Sequence, residues 1–334
     1  MGKYLPYVIG IVLIAVPFVG TEQYPMHLMI MILIWSLVYT AWSLMGRFGL
    51  VSLGHGAFMS IGAYVTALLW NYGGISPWIG IPAAMLTAAI MAFLVAYPCF
   101  QFRIVGHYFA LVTLALSEVV KLVIIASRDA TGGSLGFTPE RAADGEMLMA
   151  MQFLDKETFY FVALGAWASG LLVWKLVDKS MMRFALDSIS EDEDASASAG
   201  IYVTATKLKI TMLSAVLTAL GGALYCQYQM FIGPEVIGGI GISLQIVFAV
   251  VVGGLYTMLG PTIGAIITIM MVEIFRNIIT NLRTDGIDLG GLDTTVYGLM
   301  LILFIIFLPK GVLGELLDRF AGGRKRAPSA VKPS

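Results

Sequence analysis

Four ionisable residues interrupt long apolar runs of this sequence and are the first candidates for chemistry. Glu118 and Lys121 are three residues apart in one run, and Glu273 and Arg276 are three apart in another. This spacing makes each pair neighbours on one face of a helix. A charged side chain at the centre of a membrane helix costs about 2.5–3.5 kcal/mol, so each one needs a partner or water. The pairing favours structural intramembrane ion pairs near one interface over contacts with a substrate or a proton.

Residues that could catalyse a reaction or bind a metal are not grouped in the sequence. The three histidines, His27, His55 and His107, are too scattered for a cluster of metal ligands. The sequence contains no H-E-x-x-H motif. We therefore expect no enzyme activity, no metal and no cofactor in this chain.

Membrane helices are the elements that must position these residues. Of the 334 residues 58% are hydrophobic and 12% are charged, whereas soluble domains have about 25% charged residues. A helix needs about 20 apolar residues to cross a bilayer. We predict an all-α, polytopic transmembrane bundle of about ten spans, some of them broken or re-entrant. The predicted spans lie near 4–20, 27–45, 53–71, 77–100, 107–127, 158–177, 208–231, 240–256, 260–282 and 294–309.

Lysine and arginine are distributed unevenly between alternate connections. If both termini are cytoplasmic, fourteen of the twenty lie on the inner side and four on the outer side, as the positive-inside rule requires. This orientation predicts a transmembrane domain over 1–314, with a cytoplasmic loop at 178–207 and a periplasmic loop at 128–157. The basic segment 315–334 is then a cytoplasmic tail that contacts membrane lipid. The net charge of −1 gives no reason to expect a nucleic-acid partner.

Three glycine-rich segments, 46–56, 233–241 and 253–264, interrupt the apolar runs. Such breaks indicate either close helix packing or unwound backbone along a transport pathway, and both alternatives stay open for each segment. A weak internal repeat, GLVSLGHGAFMSIGA and GLYTMLGPTIGA, relates the first segment to the third. The predicted translocation pathway comprises Ser52, Gly54 and His55 on one side and Gly253, Gly254 and Gly260 on the other.

The inner loop 178–207 contains an acidic cluster followed by alternating alanines. Ser190 is predicted to cap a short helix, with the acids from Glu191 to Asp194 in its first turn and Gly200 as its stop. A flexible linker would need neither a cap nor a stop, so we expect a rigid helix on this surface.

This loop and five other segments resemble one transport family. E-D-A-S-A-S-A-G at Glu193 to Gly200 is similar to the loop by which permease subunits of ABC importers dock on their ATPase. The longer stretch SEDEDASASAGIYVTATKLKITMLSAVLTALGGALY resembles the branched-chain amino-acid importer permeases of the LivM-like subunit. Further similar segments cover about 27–314: GLVSLGHGAFMSIGAY, GHYFALVTLALSEVVKLV, TGGSLGF, VVGGLYTMLGPTIGA and YGLMLILFIIFLPKGVLG. The sequence differs from the family's R-E-D-E pattern, because Ser190 precedes the acids and Asp187 stands where a basic residue is common.

The resemblance implies a multi-pass permease subunit of an ABC importer in the bacterial inner membrane. Its solute would be a branched-chain amino acid or a similar small polar molecule. The implied partners are a second related permease, a periplasmic binding protein and two P-loop ATPases that carry ATP and Mg. No G-x-x-x-x-G-K-[ST] motif occurs in this sequence, so the ATPase must be a separate chain. The implied ATPase-coupling residues are Glu191, Glu193, Ala195, Ala199 and Gly200, and the expected docking residues for the binding protein are Thr131, Gly132 and Gly133.

Two other functions remain open at this point. An ion-coupled secondary carrier is compatible with the broken helices, and it would depend on an ion gradient instead of ATP. A membrane enzyme that acts on lipid is disfavoured by the scattered catalytic residue types. The sequence does not select among branched-chain amino acids, urea or short amides, and aromatic or other carboxylates as the solute.

Overall fold

The computed structural model describes residues 23–142, 147–153 and 155–282, together with Pro17 and Gly298. In these residues the fold is helical, as predicted, with one isolated β-bridge between Phe137 and Ile232. A single turn of 3-10 helix lies at Gly133–Leu135. The helices are α1 (Gln23–Gly46), α2 (His55–Gly73), α3 (Pro77–Gln101), α4 (His107–Ala126), α5 (Arg128–Thr131), α6 (Lys156–Lys179), α7 (Met181–Glu191), α8 (Glu193–Ser198), α9 (Val203–Gln229), α10 (Pro234–Ile237), α11 (Gly239–Gly253) and α12 (Gly260–Leu282).

Seven helical segments in the described part of the chain are long and apolar enough to cross a membrane. They are α1, α3, α4, α6, α9, the unit of α10 and α11, and α12 as far as Ile278. The 19-residue α2 corresponds to the predicted span 53–71 but is not among the seven. The predicted spans 4–20 and 294–309 and the tail 315–334 lie outside the described residues. The ten-span count and the location of the termini therefore stay predictions.

The connections between the helices gather at two ends of the bundle. One end, here named the loop end, carries 127–142 and 147–153, and there Lys156 donates a hydrogen bond to the carbonyl of Gln23 and Phe137 pairs with Ile232. The opposite end, named the α8 end, carries α7 and α8. Arg47 and Arg103 lie at the α8 end, where they form ion pairs with Asp178 and Asp194.

Small residues allow α1, α2 and α9 to pack with their backbones close together. A Cβ at Gly62 of α2 would collide with the carbonyl of Ala219, and one at Gly222 of α9 would collide with the carbonyl of Met59. Gly221 of α9 likewise packs against Val38 of α1. Such glycine contacts are a common way for membrane helices to associate. They place α1, α2 and α9 at the centre of the bundle.

Large apolar side chains cover the outside of the peripheral helices. Exposed fractions of 57–63% are found for leucines on α3, α4 and α6, namely Leu86, Leu111, Leu122 and Leu172. A water-soluble protein does not expose large contiguous apolar surfaces. Lipid is the solvent that suits this surface, since a helix satisfies most of its backbone hydrogen bonds internally.

Candidate functional site

The acidic-to-alanine segment of the inner loop forms α8, but its start differs from the prediction. The helix begins at Glu193, and Asp192 is its N-cap, with the Asp192 carboxylate accepting a hydrogen bond from the amide of Ala195 at 2.9 Å. The predicted cap, Ser190, is wrong, because its hydroxyl donates to the carbonyl of Asp187 inside α7. Glu191 is the last residue of α7. A carboxylate is as good an N-cap as a hydroxyl, and Asp192 also separates α7 from α8.

Side-chain contacts fix α8 to three neighbouring elements. Glu193 forms an ion pair with Lys207 of α9, whose side chain is only 5% exposed. The hydroxyls of Ser196 and Ser188 are 2.7 Å apart and join α8 to α7. The exposed pair of Asp194 and Arg103, at 2.8 Å, joins α8 to the end of α3. These contacts make α8 a rigid projection of the bundle.

Small side chains make up one part of the outward surface of α8. Ala195 is exposed on the helix, Ala199 is exposed at its C-cap, and the exposed Gly200 follows with a φ of +89°. A Cβ at Gly200 would meet open space, so the backbone conformation and not crowding favours glycine there. A small-residue surface of this kind can lie close to the surface of another protein.

A buried arginine at the α8 end, Arg47, was not predicted from the sequence to have a structural role. Its guanidinium lies 4.0 Å from the ring centre of Trp174 on α6 and 3.2 Å from the carboxylate of Asp178. Asp178 also pairs with Arg183 of α7, at 3.1 Å. Burial lowers the pKa of Arg47, while the negative charge of Asp178 raises it. The cluster attaches α7, and through it α8, to α1 and α6.

The first glycine-rich break leads into α2. Ser52 accepts a hydrogen bond from the indole of Trp42 through its carbonyl, at 2.7 Å, and the amide of Leu53 donates to Thr113 of α4. The Nε2 atom of the fully buried His55 lies 2.8 Å from the hydroxyl of Ser214 on α9. Ser214 is eleven residues into α9, which is about 17 Å at 1.5 Å per residue and close to the middle of a bilayer core of about 30 Å. The helix α2 therefore starts near mid-depth.

The second predicted half of the pathway forms a tight hairpin between α11 and α12. A Cβ at Gly253 would collide with the carbonyl of Gly260, and one at Gly260 would collide with that of Gly254. These glycines provide close helix packing, which was one of the two alternatives for this segment. Among the described residues, Ser52 bonds to α1, Leu53 to α4 and His55 to α9, and the amide of Gly54 donates to the hydroxyl of Ser52. None of these bonds reaches the hairpin.

A contact between α2 and α11 joins the first two glycine-rich breaks, which the sequence analysis did not pair. The amide of Gly56 donates to the hydroxyl of Ser243, at 3.1 Å. Ser117 of α4 donates to the carbonyl of Gly239, at 3.0 Å, and its hydroxyl lies 3.1 Å from that of Ser243. Ser117 is ten residues into α4, or about 15 Å. The helices α2 and α11 therefore both begin at mid-depth and share one cluster of hydroxyl groups. The sequence signal for this cluster is Ser243, four residues after Gly239.

The ionisable residues of α4 and α12 lie in local networks. Lys121 is 3.2 Å from Glu118 and 3.4 Å from Glu235 of α10. Glu118 also accepts a hydrogen bond from the amide of Ile240, at 3.2 Å, and so stabilises the first turn of α11. This second role had no signal in the sequence.

The other pair, Glu273 and Arg276, forms an ion pair on α12. The hydroxyl of Tyr24, at the start of α1, donates to Glu273 and accepts from Arg276. The pair therefore joins α12 to α1 at the loop end.

The candidate docking residues at the loop end form a turn. Thr131 is 5% exposed, and its hydroxyl donates to the carbonyl of Ile124, at 2.6 Å. Gly132 has a φ of +73°, and Gly133 is buried. The exposed residues of the turn are Ser134 and Leu135, and Leu135 is 73% exposed. The three candidate residues shape the turn, and its outer surface belongs to the residues that follow them.

Comparison with known proteins assigns these features to one family. Residues 24–308 match the family described as the branched-chain amino acid transport system / permease component. The chain belongs to this permease family. Two relatives are each named high-affinity branched-chain amino acid transport system permease protein LivM, one from Salmonella typhimurium and one from Escherichia coli strain K12. Each is 28% identical over 288 residues, which are 80% of this chain and 64% of the relative.

The match covers less than two thirds of the length of either LivM protein. No solved structure matches the chain. Membership of the permease family, together with seven apolar helices, makes this a multi-pass membrane protein of a transport family and not of an enzyme family.

Proposed function

We propose that this chain is a permease subunit of an ABC importer and that α8 is the element to which the ATPase binds. The observation that carries the proposal is α8 itself. It is capped by Asp192, paired through Glu193 with the buried Lys207, and exposed along its alanines. Force applied to a helix fixed in this way passes directly into α9, at the centre of the bundle. Membership of the permease family supports the same role.

The proposed assembly contains a second related permease, two P-loop ATPases and a periplasmic binding protein. ATP and Mg would be bound by the ATPases, with no cofactor in this chain. The α8 end would face the cytoplasm of a bacterial inner membrane, because the cations of its ion pairs are concentrated there. The loop end would face the periplasm and receive the binding protein. The solute would be a branched-chain amino acid or a similar small polar molecule.

The proposed translocation pathway follows the helices that begin at mid-depth. Non-helical backbone within the membrane is tolerated where it is buried in protein or lines a water-filled cavity. Ser52, Gly54 and His55 precede or start α2, and the Ser117–Ser243 cluster lies beside them. Along this pathway the α11–α12 hairpin would be held together by the close packing of Gly253, Gly254 and Gly260.

Reconstitution tests the proposal. The chain is expressed with its co-purifying permease and ATPases and placed in vesicles, and uptake of labelled leucine is measured with the binding protein present. ATP hydrolysis is expected to drive uptake. Ala195→Trp should abolish uptake and weaken binding of the ATPase to the permease, because a large ring on α8 blocks close contact. Ala195→Ser should retain both uptake and ATPase binding. Uptake by this chain alone, driven by an ion gradient without an ATPase, would contradict the proposal and favour a secondary carrier.

A further inference from the structure

A groove at the α8 end lies between the end of α3, the start of α9 and α8 itself. Its cavity has a volume of about 640 Å³, and small-molecule sites typically occupy about 300–1,000 Å³. The small residues proposed for the ATPase contact, Ala195, Ala199 and Gly200, do not line this groove. The groove is therefore a separate surface, on the side of α8 that faces α3.

The α3 wall of the groove is aromatic and continues the lipid-facing surface of that helix. The rings of Phe93 and Tyr97 stack, with centres 5.3 Å apart and planes 12° apart, and both side chains are exposed. Ile90 and Leu94 are exposed on the adjoining turn. Phe93 lies eight residues before the end of α3, which is about 12 Å at 1.5 Å per residue. This wall therefore lies within one leaflet of a bilayer, where acyl chains are present.

An exposed pair of opposite charges lies at the polar end of the groove. Nη1 of Arg103 donates to Oδ1 of Asp194 at 2.8 Å, yet the two side chains remain 72% and 78% exposed. This contact leaves most of the five N–H donors of arginine and the second oxygen of the carboxylate available. A phosphate beside Arg103 and an ammonium beside Asp194 would both form charge-assisted hydrogen bonds. The polar end therefore suits a zwitterion.

The backbone of Arg103 supports a role for its side chain. Arg103 follows the C-cap of α3 and has a φ of +55°. Its amide donates to the carbonyl of Phe100, and that of Ile104 donates to Cys99, in the helix-ending pattern that usually has glycine at this position. A side chain in this conformation costs about 1–2 kcal/mol, whereas an exposed ion pair returns no more than about 1 kcal/mol. A ligand of the guanidinium would supply the rest.

We propose that this groove binds a phospholipid with an ethanolamine headgroup, from the leaflet at the α8 end. The phosphate would lie at Arg103, the ammonium at Asp194, and one acyl chain on the rings of Phe93 and Tyr97. A choline headgroup has no N–H to donate to Asp194, and a glycerol headgroup has no cation. The bound lipid would join α3, α8 and α9 at the membrane surface. This site goes beyond the proposed function and does not depend on it.

Retention of lipid by the purified protein tests the site. The full chain is taken from nanodiscs that contain equal amounts of phosphatidylethanolamine, phosphatidylcholine and phosphatidylglycerol, and the lipids that stay bound are counted by native mass spectrometry. Phosphatidylethanolamine should be retained at least about fivefold over each of the others. Soluble glycerophosphoethanolamine, which has the headgroup and no acyl chain, should not displace it.

Variants show whether the lipid binds in this groove. Asp194→Asn should remove most of the preference for ethanolamine over choline, and Arg103→Gln should lower retention of phosphatidylethanolamine by about fivefold. Arg103→Lys should retain most of it, because lysine also binds phosphate. Arg183 and Asp187 form a matched pair at the same end, 3.4 Å apart and outside the groove. Arg183→Gln and Asp187→Asn should therefore retain lipid like the parent chain.

The outcomes separate a lipid site from other occupants of the groove. Equal retention of ethanolamine and choline lipids by the parent chain, an unchanged preference in Asp194→Asn, or the same losses in the two control variants would overturn the site. Displacement by glycerophosphoethanolamine would show that a soluble headgroup is the ligand and would also overturn it. Weaker ATPase binding by Arg103→Gln, with no lipid preference in the parent chain, would assign the groove to the ATPase instead.

Discussion

Glu193 of α8 and Lys207 of α9 form an ion pair across the turn that joins the two helices. The side chain of Lys207 is 5% exposed and that of Glu193 is 30% exposed, so the two partners differ in their access to water. The ammonium also lies 5.7 Å from the ring centre of Phe100 on α3. The pair therefore connects the surface helix α8 to the interior of the bundle through the buried charge of Lys207.

The unequal burial of this pair predicts an unequal response to mutation. Glu193→Ala leaves a buried ammonium without its carboxylate and should destabilise the protein by about 1–3 kcal/mol. Lys207→Met leaves a carboxylate that reaches water and should cost no more than about 1 kcal/mol. Thermal unfolding of the full chain in detergent measures both, and an equal loss from the two variants would contradict the asymmetry.

The stacking of Arg47 predicts that lysine cannot replace it. Arg47→Lys removes the planar contact with Trp174 and the geometry of the pair with Asp178, at a cost of about 1–2 kcal/mol. Arg103→Lys is the matched control, because its pair with Asp194 is exposed, and it should change stability by less than about 1 kcal/mol. The melting temperatures of the two variants give the comparison, and similar values would show that Arg47 acts as a charge alone.

The contact between α2 and α9 predicts a strong dependence on residue size. Gly62→Ala places a methyl group against the carbonyl of Ala219 and should destabilise the protein by about 1–3 kcal/mol. In Gly165→Ala on α6 the added methyl group meets open space, so the free energy of unfolding should stay within about 1 kcal/mol of the parent chain. Yield of the folded monodisperse protein and its melting temperature report the difference. A Gly62 variant as stable as the Gly165 variant would mean that the two helices separate without cost.

The hydroxyl cluster at mid-depth predicts a specific loss on removal of Ser243. Ser243→Ala leaves the buried amide of Gly56 without its acceptor, which costs about 1–3 kcal/mol. Ser169→Ala is the control, because in the part of the chain that the structure describes that hydroxyl bonds only to the carbonyl of Ala166 within α6. Hydrogen exchange at the Gly56 amide, followed by mass spectrometry, should accelerate in the first variant and stay slow in the second. Unchanged protection in both would remove the link between α2 and α11.

Local patterns were sufficient to predict most of the helices. Long apolar runs gave the positions of α1, α3, α4, α6 and α12, because a helix that crosses lipid must satisfy its own backbone. The spacing of three residues between Glu118 and Lys121 was sufficient to predict their contact, since neighbours on a helix face are fixed by the helical repeat.

Contacts between distant segments could not be predicted in this way. The meeting of Gly56 with Ser243 depends on how α2 and α11 cross α4, and no sequence spacing encodes that. The cap of α8 was misplaced because Ser190 and Asp192 are both good caps, and the choice between them follows from where α7 ends. The burial of Arg47 depends on Trp174, which is more than a hundred residues away.

The backbones of α2 and α9 are in direct contact, so no side chains lie between the two helices that could change their packing. Any conformational cycle must move these two helices as a single stiff frame. The helices that can move against this frame lie outside it, and one place for the chain to bend is Gly254, whose φ of +123° starts the turn from α11 into α12. There α12 can swing, whereas α8 moves together with α9, because Glu193 is paired with Lys207.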